Sequence, residues 1–159
     1  MTVTLEQCAE LLRDADRILI LSHQYPDGDT LGSASGLCRA LQKMGKRARC
    51  ECADEIGPHY RYLYSGVEPD QFDPASIMGV DVADSKLLGR LESAYAGKIR
   101  LAIDHHGSHV PFAEYEYVDS TAAAACEIIP ALLGLLGVEI DSQIADSLYT
   151  GITTDTGCF

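Results

Sequence analysis

The feature that most restricts this chain is the way short apolar runs alternate with segments of helical spacing. Arg17 to Leu21 (RILIL) has the composition of a buried strand, and Arg47 to Cys52 that of a second. Between them, Thr30 to Met44 puts Leu31, Ala34, Leu37, Cys38 and Leu41 at helical spacing and closes at Gly45, which completes a βαβ unit. Ile77 to Val82 then predicts a third strand, Ser85 to Tyr95 a helix, Ile99 to Ile103 a fourth strand and Tyr115 to Val118 a short fifth. Ahead of these, Thr4 caps a helix carrying Leu5, Cys8, Leu11 and Leu12. Behind them, Ser120 or Thr121 caps an apolar helix that runs toward Leu136 with a kink at Pro130, and Asp141 caps a last helix running into Gly151. Ile56 to Pro74 lacks periodicity and reads as a loop with a helical turn at His59 to Tyr64. Parallel strands need crossovers, so this order predicts an α/β fold: a doubly wound parallel sheet of about five strands with helices on both faces.

A length of 159 residues and a hydrophobic fraction of 47% suit one domain with a real core. With 24 acidic and 12 basic residues the formal net charge is −12, so no general basic surface exists to grip long duplex nucleic acid. None of the six cysteines falls in a CxxC pair, and the CxC at Cys50 and Cys52 has too few neighbouring donors for a zinc site. Thiols of this kind suit a reducing cytoplasm. No signal-peptide pattern and no apolar run of the roughly 18 residues that a membrane span requires are seen.

In a parallel sheet, ligands collect beyond the carboxyl ends of the strands, and the polar clusters of this sequence fall there. His23, Asp27 and Asp29 follow the first strand, Asp81 and Asp84 the third, and Asp104, His105 and His106 the fourth, while Asp155 lies near the last helix. Taken singly, each has an ordinary explanation. PDGD makes a turn, Asp29 or Thr30 caps a helix, and a lone His23 is more often structural than a ligand. Recurrence of the same donors at successive strand ends is not explained that way. So many acids crowded together would repel unless divalent cations compensated them. Asp and His donors without cysteine suit Mn²⁺, Mg²⁺ or Zn²⁺, and there are enough of them for two ions about 3.5–4 Å apart sharing a carboxylate.

The stretches HQYPDGDTLGS, VDVAD, DHH and GITTDTG, in this order and spread over almost the whole chain, resemble the DHH phosphoesterases. The wording PDGDTLGS and DVADSKLLG is most similar to the branch of nanoRNases that degrade short oligoribonucleotides and remove phosphate from 3'-phosphoadenosine 5'-phosphate. The resemblance implies a DHH catalytic domain over residues 1–159. It implies two divalent ions, Mn²⁺ foremost with Mg²⁺, Co²⁺ or Zn²⁺ as substitutes. His23 and Asp27 would bind one ion and Asp29 the second, Asp81 would bridge both, and His105 and Asp155 would complete the second site. His106 would act at the scissile phosphate or on the leaving group, with Asp104 orienting the histidine pair, and the nucleophile would be a water activated by both metals. Asp84 has two readings, a substrate-side group or a helix cap, and His59 and His109 match no motif. Alanines open AAAACEII where relatives carry serines. Relatives also carry a second, C-terminal substrate-binding domain with a glycine-rich GGH-like motif, which is not seen in this sequence. The chain stops on an unterminated TDTG motif, which reads as a fragment.

The partners expected are therefore short RNA or small nucleotide bisphosphates, no long duplex and no membrane, with room for a homodimer. Within the enzyme class the rivals are a cyclic- or linear-dinucleotide phosphodiesterase, a RecJ-like single-strand exonuclease and an inorganic pyrophosphatase. From another class, a non-catalytic nucleotide-binding module would be signalled by loss of a ligand, and every matching ligand position is filled.

Overall fold

The computed structural model describes residues 1–159. Helix α1 (Leu5–Asp14) starts at the expected Thr4, whose hydroxyl accepts the Gln7 N–H while the Gln7 side chain accepts the Thr4 N–H. The strands are β1 (Ile18–Ser22), β2 (Ala48–Cys52), β3 (Ser76–Val80), β4 (Leu101–Asp104) and β5 (Tyr115–Val118). All pair in parallel in the order β2-β1-β3-β4-β5. The order turns back between β1 and β3, which opens a crevice at the carboxyl ends of those two strands. Every residue of β1 is buried, as its unbroken apolar run requires of a central parallel strand.

Helices cover both faces, unequally. On one face Ile18, Ile20, Met78, Val80, Leu101 and Ile103 pack under α1, α2 (Gly28–Lys43), α4 (Ala125–Leu136) and α5 (Ser142–Asp155). On the other, Leu19, Leu21 and Ile77 meet Leu88, Leu91 and Ile99. The helix expected over Ser85 to Tyr95 is not continuous. Residues Ser85–Leu91 form 3₁₀ turns, and only Glu92–Tyr95 is α-helical (α3). Gly89 sits inside the break at φ 57° and ψ −131°, a conformation closed to a continuous helix.

Three other boundaries differ from the sequence reading. Helix α2 begins earlier than Thr30 and is capped by Asp27, not by Asp29 or Thr30. Helix α4 is not capped by Ser120 or Thr121. It starts at Ala125 behind Ala124, which makes no side-chain cap bond, and it continues through Pro130. Helix α5 carries on past Gly151 to Asp155. The loop after β2 holds the expected turn as a 3₁₀ segment, Pro58–Tyr64, pinned by the Arg39 guanidinium donating to the Leu63 and Ser65 carbonyls.

Helices α2 and α5 meet along a stripe of glycines one helical turn apart. A Cβ on Gly28 would collide with Thr154, and one on Gly32 with the Ser147 carbonyl oxygen and Cys126 Sγ. On Gly36 the one tight contact would be with the tip of the Leu148 side chain, with Ser147 Cβ at ordinary van der Waals distance. Backbone cannot step aside as a leucine tip can. Alanine gains about 1 kcal/mol over glycine in helix propensity, whereas overpacking costs about 1–3 kcal/mol. Gly32→Ala is therefore expected to lower the urea midpoint, and Gly36→Ala to leave it unchanged or raise it. The reverse order in chemical denaturation would show that the helix contact is not what the glycines serve.

Candidate metal centre

Beyond β1, the chain turns sharply so that two neighbouring acids can face different ways. Tyr25 is held at φ 57°, its N–H donated to Asp54. Asp27 then divides its carboxylate. Oδ1 accepts the Asp29 and Thr30 N–H groups at the start of α2, while Oδ2 lies 3.6 Å from His23 Nε2. The cap and the candidate ligand are one residue. Thr30 ties the two strand ends together, its hydroxyl donating to the Val80 carbonyl and accepting the His23 N–H, both at 3.3 Å.

Asp29 is fully buried and reaches across to α4. Its two oxygens accept the N–H groups of Ala125 at 2.6 Å and Cys126 at 2.9 Å. The alanine-led helix thus takes its cap from α2. Oδ2 of the same residue lies 3.7 Å from His105 Nε2.

Asp81 follows β3 at φ 56°, an unfavourable backbone state for a residue with a Cβ. Its oxygens lie 3.6 Å from His23 Nε2, 3.5 Å from His105 Nε2 and 3.6 Å from His106 Nδ1. Asp155, at the end of α5, lies 3.2 Å from His105 Nε2. The donors assemble as His23, Asp27 and Asp81; as Asp29, His105 and Asp155; and as Asp81, His105 and His106, the atoms of each set within 4.8 Å of one another. All six residues expected as ligands are therefore brought together, with Asp81 between the two histidines.

The hydrogen bonds around the histidines leave the donors that a cation needs. His23 Nδ1 is 2.7 Å from the Gln24 carbonyl and His105 Nδ1 3.2 Å from that of Ala122, so each can donate there and keep its Nε2 lone pair for the site. Asp81 Oδ1 and His105 Nε2 are both buried without any hydrogen-bond partner. Asp155 comes close to His105 Nε2 but not in a hydrogen-bonding direction. Two unpartnered buried acceptors 3.5 Å apart are costly unless something positive lies between them. The donor set fits a divalent metal.

Protonation follows the same crowding. Burial raises the Asp81 pKa to about 7, opposed by the nearby His23 ring and helped by the charges of Asp29 and Asp27. Burial alone would lower that of His23, but the carboxylates of Asp27 and Asp81, each 3.6 Å from its Nε2, outweigh it and hold the ring at about 10. His106 is likewise raised, burial being overcome by the Asp104 bond and charge.

Asp104 is fully buried, with Oδ1 accepting from the His105 N–H and from His106 Nδ1, each at 2.8 Å. It orients the ring of His106. The ring of His105 is set instead by Ala122, so the expectation that Asp104 steers both rings narrows to one. Asp84 accepts the Lys86 N–H at the start of its 3₁₀ turn and joins none of the three donor sets, which favours its cap reading. His109, for which the sequence suggested no role, has its ring between Asp104 and Glu116. The signal was hidden because Glu116 belongs to β5, and no motif spacing links it to the DHH stretch.

The family model described as the DHH family, N-terminal domain, matches residues 17–152. The chain is 35% identical to the bifunctional oligoribonuclease and PAP phosphatase NrnA of Thermus thermophilus, over 95% of this chain and 47% of that protein. It is 28% identical to the protein of the same name from Bacillus subtilis, over 91% of this chain and 47% of the other. The chain spans about half the length of the curated relatives it matches. Among solved structures, an exopolyphosphatase-related protein from Bacteroides fragilis superposes with a TM-score of 0.86 at 22% identity, covering 96% of this chain and 50% of that one. Exonuclease RecJ bound to manganese gives 0.58 at 17% identity, covering 91% and 41%. These two likenesses support the fold.

A cation entering the site would have to displace the protons on His23 and Asp81. Both leave more readily as pH rises toward the values of about 7 for Asp81 and about 10 for His23. The apparent Mn²⁺ affinity is expected to tighten between pH of about 6 and about 8.5, with protons released on binding. Calorimetry in two buffers of different ionisation enthalpy reads both effects. An affinity independent of pH would remove these two groups from the site.

Proposed function

The chain belongs to the DHH family, and from that membership we propose that residues 1–159 are the catalytic domain of a divalent-metal-dependent phosphohydrolase. Its substrates are short oligoribonucleotides and 3'-phosphoadenosine 5'-phosphate, the activities in the names of the relatives from Thermus thermophilus and Bacillus subtilis. The single observation that carries the reading is the pair of buried, unpartnered atoms, Asp81 Oδ1 and His105 Nε2, at the centre of three convergent donor sets. His23, Asp27 and Asp81 would hold one ion, and Asp29, Asp81, His105 and Asp155 would hold a second. Mn²⁺ is the proposed metal, supported by Asp and His donors and by the manganese in the RecJ structure. The formal charge of −12 favours small substrates over long duplexes.

A pair of bound divalent cations supplies an acidic water near neutral pH and positive charge against the phosphoryl oxygens. The rest falls to the chain's own side chains. The Gln24 and Ala122 carbonyls hold His23 and His105 with Nε2 toward the acids. Asp104 accepts from His106 Nδ1, so that when this part-exposed ring is protonated its Nε2–H is the hydrogen free to pass to the departing ribose oxygen. The raised pKa of His106 suits a proton donor. A cysteine nucleophile is disfavoured: burial, then the charge of Asp29, pushes the Cys126 thiol well above its ordinary value, and Cys52 donates to the His23 carbonyl.

With Mn²⁺, the protein is expected to release mononucleotides from a 5'-labelled RNA dinucleotide and phosphate from 3'-phosphoadenosine 5'-phosphate. Chelation with EDTA should stop both. Asp81→Ala is expected to lower turnover of either substrate by at least about 100-fold. Metal binding without turnover of either substrate would reject the enzyme reading in favour of a nucleotide-binding module. Full activity in the variant would reject Asp81 as the shared ligand.

A further inference from the structure

Four side chains form one line of contacts from β5 to the candidate site. Glu116 Oε2 lies 3.0 Å from His109 Nε2, His109 Nδ1 lies 2.6 Å from Asp104 Oδ2, and Asp104 Oδ1 lies 2.8 Å from His106 Nδ1. The first three side chains are buried, at 6%, 5% and 0% exposure, and the last emerges at 41%. We infer that His109 is a positioning residue, which holds Asp104 from behind and through it fixes the tautomer and direction of His106. The consequence for turnover rests on the phosphohydrolase reading. The hydrogen arrangement rests on the contacts alone.

Asp104 cannot orient His106 unaided. Its Oδ1 already accepts two N–H groups, from the His105 backbone and the His106 ring, and a carboxylate is still free to swing about its own axis. The contact at Oδ2 stops that motion, and only His109 supplies it. His109 is itself fixed at its far nitrogen by Glu116, whose other oxygen accepts the backbone N–H groups of Phe112 at 2.7 Å and Ala113 at 2.6 Å. The line thus ends on backbone and not on another movable side chain. Each of its three contacts needs one hydrogen. With His109 donating toward Asp104, the hydrogen between Asp104 and His106 must come from His106 Nδ1, leaving Nε2 for the substrate side. Removing the His109 ring would leave a buried carboxylate oxygen unpartnered, free to turn or to draw in water, and His106 would lose its fixed tautomer.

Asparagine separates this role from simple packing. Its amide nitrogen occupies the position of imidazole Nδ1, so it can donate to Asp104 while abandoning Glu116. The test compares wild type, His109→Ala and His109→Asn in two measurements. In steady-state hydrolysis of the RNA dinucleotide with Mn²⁺, His109→Ala is expected to lower kcat by about 10- to 100-fold, with KM and metal stoichiometry unchanged, and His109→Asn to recover most of it. In ¹⁵N-histidine NMR with diamagnetic Mg²⁺ present, at a pH high enough for the His106 ring to be neutral, His106 should show a single Nδ1–H tautomer in wild type and His109→Asn, and averaged tautomers in His109→Ala. A wild-type kcat and a single tautomer in His109→Ala would overturn the inference. So would equal losses in both variants that track their unfolding midpoints, since that is what a packing role alone produces. If wild type turns over neither substrate, the phosphohydrolase reading fails by itself, and the NMR comparison still decides whether His109 sets the tautomer of His106.

Discussion

The carboxylate of Asp29 is the interaction on which the rest of this structure hangs. It is fully buried, a costly place for an acid, and it stays there because two backbone N–H groups of α4 donate to it. The helix gains the cap that its alanines cannot supply, and the acid gains the positive end of a helix dipole. Its second contact, toward His105, ties this structural bond to the cluster of donors. Moving α4 would move Asp29, and with it the distance to Asp155 and His105. The core and the site are therefore not separate layers of this protein.

The same economy appears in Asp27, which caps α2 with one oxygen and faces His23 with the other. It appears again in Asp104, whose two oxygens serve three donors. Crowded acids repel, and Asp27, Asp29 and Asp104 are each kept in place by N–H groups or imidazoles that offset part of their charge. Asp81 is the exception. One of its oxygens has no donor at all, and its backbone sits in a strained conformation. Strain and an unmet acceptor at one residue mark where a positive charge would matter most.

Most of the sheet was legible because apolar runs and helical spacing are local signals. β1 and α2 announce themselves within a few residues, and the acids at successive strand ends follow from the rule that parallel strands deliver their loops to one edge. What escaped was anything decided by partners distant in sequence. The start of α4 could not be placed, since its cap is Asp29, nearly a hundred residues earlier. The Ser85 to Tyr95 segment has helical spacing, but Gly89 breaks it where a Cβ would meet Gln24 and Ala53. His109 stood five residues beyond Asp104 with no motif to enlist it, because its second partner lies on another strand. The choice at PDGD between turn and ligand could not be resolved by inspection because Asp27, which was not among the expected caps, both caps α2 and faces His23.

The glycine stripe between α2 and α5 has a consequence for how this centre could be moved or rebuilt. Asp29 rides on the first of these helices and Asp155 on the second, and where they meet there is almost no side-chain cushion. The spacing of those two acids is thus a dimension of the scaffold itself, fixed by how closely two main chains can approach. Grafting the PDGD and DHH loops onto another parallel sheet would transplant the vocabulary of the site without its ruler. A designer wishing to carry this chemistry elsewhere would have to import the helix pair first.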